Sequence, residues 1–183
     1  MSVARSHGGR QRGAHALVAG SVLLAVGLLS ACTGQPGAAA VVDGRTISVA
    51  DVQTATTELA QLFQGVTAQA VLDVLIREPT VSAFASAQGV GVSPDQAVAD
   101  LKERAANLHL VERVYSAPSL TIGRYLLAEK ALGGLASSAT VLPELEQRLA
   151  AQKVEINARF GVLGDGNTIT DAAYPWLVVR KAG

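Results

Sequence analysis

The chain has 183 residues, 15 Lys and Arg against 15 Asp and Glu, 49% apolar residues and one cysteine. Such a balance lacks the basic stripe that nucleic-acid binding calls for, and a single thiol leaves no internal disulfide. The fold must be held by packing.

At the N-terminus, Arg5, Arg10 and Arg12 precede an apolar run from Ala16 to Leu29, with no acidic residue before Cys32. This is the charged-then-apolar layout of a secretory signal. Its 14 residues span about 21 Å as a helix, short of the roughly 30 Å hydrocarbon core, so the run is not read as a permanent span. Leu29-Ser30-Ala31-Cys32 follows directly and resembles the lipobox of bacterial lipoproteins. The resemblance implies that Leu29, Ser30 and Ala31 form the signal-peptidase recognition sequence, that the chain is cut before Cys32, and that the Cys32 thiolate carries diacylglycerol. Two acyl chains at about 0.8 kcal/mol per buried methylene anchor a protein to a membrane. Without residues 1–31, the mature chain has 152 residues, enough for one domain, and a net charge of −3, because three basic and no acidic side chains leave with the leader.

Residues 32–39 read as a lipidated linker of small residues, and the domain as 40–183. Val41-Val42-Asp43-Gly44-Arg45-Thr46-Ile47 predicts a short hairpin, with Asp43-Gly44 in a type I′ turn. Ser48-Val49-Ala50-Asp51 is close to a capping box, with Ile47 and Val52 as a hydrophobic staple. The helix it opens carries Val52, Ala55, Leu59, Leu62 and Phe63 at helical spacing and stops at Gly65. A second helix after Thr67 bears Val71, Leu72, Leu75, Ile76 and Phe84, with a kink or break expected near Arg77-Glu78 because of Pro79. Ser93-Pro94-Asp95-Gln96 is the strongest helix start, and Val98, Leu101, Ala105 and Leu108 should line one face of that helix. Further helices are expected from about Ser119 to Leu132 and from about Val141 to Gln152, then a strand over Val154-Glu155-Ile156-Asn157 and a turn-rich tail.

Catalytic candidates are few. The mature chain holds one histidine, His109, without a nucleophile elbow, and the acidic pairs Asp100/Glu103 and Glu144/Glu146 fall on polar helix faces. No His, Cys or carboxylate spacing suits zinc or a transition metal, and Gly164-Asp165-Gly166 lacks the lysine and helix of a phosphate loop. The sequence therefore points to no enzyme, no metal and no cofactor. Arg159, Phe160, Tyr174 and Trp176 are residue types enriched at binding hot spots, and also types that seal the end of a small core.

Val42-Asp43-Gly44 with Ile47-Ser48, the link Gly89-Val90-Gly91-Val92-Ser93, and Val154-Glu155-Ile156-Asn157-Ala158-Arg159-Phe160-Gly161 together resemble the N-terminal chaperone domain of the SurA and PrsA family of extracytoplasmic foldases. Lipoprotein members of that family carry proline at the position of Ala158. The resemblance implies a mostly α fold: an amphipathic helical body with a small two- or three-stranded β element in which the late strand pairs with the first. It also implies an extracytoplasmic, membrane-anchored chaperone that binds unfolded or extended polypeptide. The family's inserted prolyl isomerase domain does not fit in this length, so isomerase activity is not expected. The competing expectation is a structural or adaptor lipoprotein holding one folded envelope partner.

Overall fold

In the computed structural model, which describes residues 36–171, the first element is the hairpin around Asp43-Gly44. Strands β1, Ala38–Val42, and β2, Arg45–Ser48, pair antiparallel, Val42 opposite Arg45 and Ala40 opposite Ile47. Asp43 and Gly44 take φ of 48° and 84°, the two positive values a type I′ turn requires and glycine accepts without strain. The linker is shorter than expected: Ala38 and Ala39 lie in β1 and are buried. Their small side chains fit because β1 is the middle strand, flanked on both edges.

Helix α1, Val49–Leu59, starts on Ser48, whose hydroxyl accepts from the Asp51 N–H and donates to the Asp51 carboxylate at 2.7 Å. Ile47 and Val52 are buried in one cluster. The helix stops four residues short of Phe63. Both Leu62 and Phe63 donate their N–H to the Leu59 carbonyl, a tight turn that still buries Leu62.

Helix α2, Ala68–Ala87, runs through Pro79 without the expected break. Proline cannot donate to the carbonyl four residues before it, that of Leu75. Arg45 Nη2 of β2 bonds that carbonyl at 3.0 Å, and the Gln152 side-chain amide donates to the neighbouring Ile76 carbonyl at 3.3 Å. The helix survives because a strand side chain serves the oxygen that the ring leaves free.

Helix α3, Pro94–Asn107, opens on a full capping box between Ser93 and Gln96. It buries Ala97, Leu101 and Ala105, but Leu108, expected on the same face, is half exposed. The reason is local. His109 adopts φ 56°, its N–H reaches the Ala106 carbonyl, and the Leu110 N–H reaches that of Ala105, a Schellman turn that swings the chain away at Leu108.

Helices α4, Ala117–Gly133, and α5, Ser138–Ala150, begin two and three residues earlier than the spacing predicts. Strand β3, Val154–Ile156, then returns to pair antiparallel with β1, Val154 opposite Val42 and Ile156 opposite Ala40, giving the order β2-β1-β3. Asp43 and Lys153 exchange hydrogen bonds at the turn end of the sheet. A helical turn over Ala158–Phe160 leads into a second hairpin, strands β4, Val162–Leu163, and β5, Ile169–Thr170, joined through Gly164-Asp165-Gly166. The protein is thus mostly helical with a small antiparallel sheet. Its core has two parts: one joins the sheet to α1, the first half of α2, α3 and the start of α4; the other joins the second half of α2 to the rest of α4 and to α5.

Candidate functional site

Two concave regions lie at opposite ends of α1, which at 11 residues is about 16 Å long. At its N-terminal end, the Gly37 carbonyl accepts from Val49, and the backbone N–H and side-chain amide of Asn157 bond the carbonyls of Ala39 and Ala38. Asn157 also takes the Arg159 N–H at 3.0 Å, so the segment after β3 is laced to the first residues of β1. Beside it opens a cleft of about 430 Å³ lined by Gln53, Gln69, Ala158, Arg159, Phe160 and Asp171. Gly161 in its lining permits the close return of β5: at φ 124° a side chain there would run into the Thr170 carbonyl. Arg159 is exposed, whereas Phe160 is half-buried against the core.

At the other end of α1, residues 110–116 form neither helix nor strand. They present Val111 and Val114, 84% and 93% exposed, next to the half-exposed Leu108. Beside these apolar side chains lies a second cleft of about 360 Å³, with Ala105, Ala106, Leu110 and Tyr115 in its lining and Lys102, Glu103, Glu112 and Arg113 at its rim. Lys102 bonds Glu112 at 2.7 Å, holding that carboxyl below its usual range. The Tyr115 hydroxyl is buried with no hydrogen-bond partner, a condition worth about 1–3 kcal/mol of lost stability.

Packing of Tyr115 and Leu110 against the core and a set of polar bonds hold this segment in place. Glu58 of α1 accepts from the Ser116 N–H (3.0 Å), the Ser116 hydroxyl (2.8 Å) and the fully buried Ser119 hydroxyl (2.6 Å). Burial alone would raise the Glu58 pKa, but these three donors and the nearby Arg113 charge outweigh it and hold the carboxyl below its usual range. Ser116 gives up its ordinary capping bond to α4 in doing so. Arg113 donates to Gln61, just past the end of α1.

No protein-family model, curated protein or solved structure matches the chain. Among the described residues no helix is long and apolar enough to cross a membrane, and no group of three or more His, Cys, Asp or Glu is placed to hold a metal ion.

Of the residues singled out from sequence, Arg159 and Phe160 come together in the first cleft, while Leu29, Ser30, Ala31, Cys32, Tyr174 and Trp176 lie outside the described residues. Val42, Asp43, Gly44, Ile47 and Ser48 build the hairpin and the start of α1. His109 serves the turn after α3. The acidic pairs do not act as pairs: Asp100 binds Arg104, Glu144 binds Arg148 and Glu146 binds Arg77. The apolar strip at 108–114 escaped the sequence reading. Its signal was present as Leu-His-Leu-Val-Glu-Arg-Val-Tyr, an apolar-rich stretch between two helices with no periodicity to bury it.

Proposed function

We propose that the protein is a lipid-anchored, extracytoplasmic binder of extended polypeptide with chaperone-like action and without prolyl isomerase activity. The observation that carries this reading is the exposed strip Leu108, Val111 and Val114 beside the cleft floored by Ala105, Ala106, Leu110 and Tyr115. Exposed apolar side chains beside a cleft can each add a weak contact to an extended chain, and exposed apolar surface is a candidate interaction surface. The antiparallel return of β3 onto β1 agrees with the topology that the SurA and PrsA resemblance implies.

The charged rim of Lys102, Glu103, Glu112 and Arg113 favours a second reading, an adaptor for one folded envelope protein. One experiment separates the two. The chain from Thr33, supplied in excess, should slow aggregation of several unrelated denatured proteins, and Val111→Ser with Val114→Ser should abolish the effect. Speeding prolyl rotation would require a preorganised site acting on a barrier of about 18–20 kcal/mol, so the cis/trans rate of a proline tetrapeptide should not change. Protection of no client, together with stoichiometric capture of one native envelope protein, would replace the chaperone reading with the adaptor.

A further inference from the structure

The cleft at Arg159 and Phe160 is lined by polar side chains that the fold does not use. Among the described residues, every other arginine serves the structure: Arg45 bonds the Leu75 carbonyl, Arg113 bonds Gln61, and Arg77, Arg104, Arg124 and Arg148 each pair with a carboxylate. The Arg159 guanidinium has no such partner, and neither do the Asp171 carboxylate or the side-chain amides of Gln53 and Gln69 in the same lining. These four groups come from α1, the start of α2, the helical turn after β3 and the residue after β5. The turn that carries Arg159 is nevertheless fixed. Asn157 accepts the N–H groups of Arg159 and Phe160 and is itself laced to β1, while Phe160 packs against the core and gives the cleft a firm apolar wall. A volume of about 430 Å³ falls within the range of sites that hold a small ligand or the end of a chain.

Each free group has a definite complement. A guanidinium fork matches a carboxylate through two parallel N–H bonds, a carboxamide both donates and accepts as a peptide group requires, and a carboxylate accepts a peptide N–H. With one cation and one anion in the lining, a phosphate or other polyanion meets Asp171 as a like charge, whereas a single carboxylate followed by peptide groups complements all four side chains. We infer that this cleft binds the C-terminal end of a polypeptide: the terminal carboxylate on Arg159, the last peptide groups on Gln53, Gln69 and Asp171, and the last side chain against Phe160. The site is separate from the strip at Val111 and Val114 and does not depend on it. An Asp or Glu side chain offers the same carboxylate, so the test must tell the two sources apart.

Fluorescence anisotropy on the full chain makes the test, with three labelled peptides of one length: one ending Ala-Ala-Leu as the free acid, the same peptide as its C-terminal amide, and an amide in which the middle residue of that ending is Glu. The free acid should bind about tenfold tighter than either amide, the order that one charge-assisted bond contributes. Arg159→Gln should bring the free acid down to the level of its amide, and Gln53→Ala should weaken both several-fold. Arg159 and Gln53 are exposed, so neither substitution disturbs the core, and an unchanged denaturation midpoint checks this. The preference for the free acid should persist in Val111→Ser with Val114→Ser, which keeps this site distinct from the strip. Equal binding of acid and amide, or a preference that survives Arg159→Gln, would overturn the inference. A Glu-containing amide that binds as tightly as the free acid would also overturn it and assign the cleft to acidic side chains.

Discussion

The two ends of α1 treat the same kinds of residue in opposite ways. At the sheet end, Ala39, Ala40, Val42 and Ile47 are buried between paired strands and helices; at the loop end, Val111 and Val114 stand in solvent. Burial of one β-branched side chain contributes about 1.5–3 kcal/mol, so the sheet end carries stability that the loop end forgoes. The loop is nevertheless fixed, by the Schellman turn at His109, the Glu58 carboxylate and the Arg113–Gln61 bond. Tyr115 and Leu110 anchor the same segment to the core, while Val111 and Val114 are left uncovered.

The harshest way to break that contrast is to remove the strand that closes the sheet. Truncation before Val154 takes away the β1–β3 ladder and the half-buried Val154, Ile156 and Phe160, and the denaturation midpoint should report a loss of about 3–5 kcal/mol. An unchanged midpoint would show that the sheet end does not carry the fold.

At the loop end, Glu58→Ala leaves the buried Ser119 hydroxyl and the Ser116 donors without their acceptor. A loss of roughly 2–3 kcal/mol is expected in chemical denaturation. The same carboxyl sets a pH dependence. Its folded pKa lies below the unfolded value, so its contribution is present above about pH 4.5 and fades as the pH falls through the folded pKa. Acid titration of stability should flatten in that window when Glu58 is replaced by alanine.

Arg45→Ala exposes the difference between a strand that only pairs and one that also repairs a helix. Leaving the Leu75 carbonyl beside Pro79 unserved should cost about 1–2 kcal/mol, and Pro79→Ala in the same chain should restore most of it by supplying the missing N–H. Additive losses in a double-mutant cycle would refute the link.

The smallest effect on stability sharpens the contrast most. Tyr115→Phe removes an unpartnered buried hydroxyl and should raise stability by about 1 kcal/mol, while binding of an extended peptide measured by fluorescence anisotropy should not change. A fall in stability would show that the hydroxyl is satisfied in the folded protein.

Several elements could be read directly from residues, because their causes are local. Asp43-Gly44 accepts positive φ at both turn positions, and Ser93-Pro94-Asp95-Gln96 contains both halves of a capping box and the proline that starts a helix. Local chemistry also marked Arg159 and Phe160 as candidates, but their meeting with Gln53 and Gln69 in one cleft needed the return of β3 onto β1, a contact across more than a hundred residues. Pro79 shows the same limit from the other side. Its lost hydrogen bond is written in the sequence, but Arg45, the donor that keeps α2 whole, comes from 30 residues earlier on the neighbouring strand.

Length, charge and the helix and turn signals were determined by the sequence alone, since the signals depend on residues within a few positions of one another. Which apolar residues are covered was decided only by the tertiary structure. Val42 and Val114 are the same side chain, and one is buried and the other in water because a partner strand returns to the first and nothing in the described chain returns to the second.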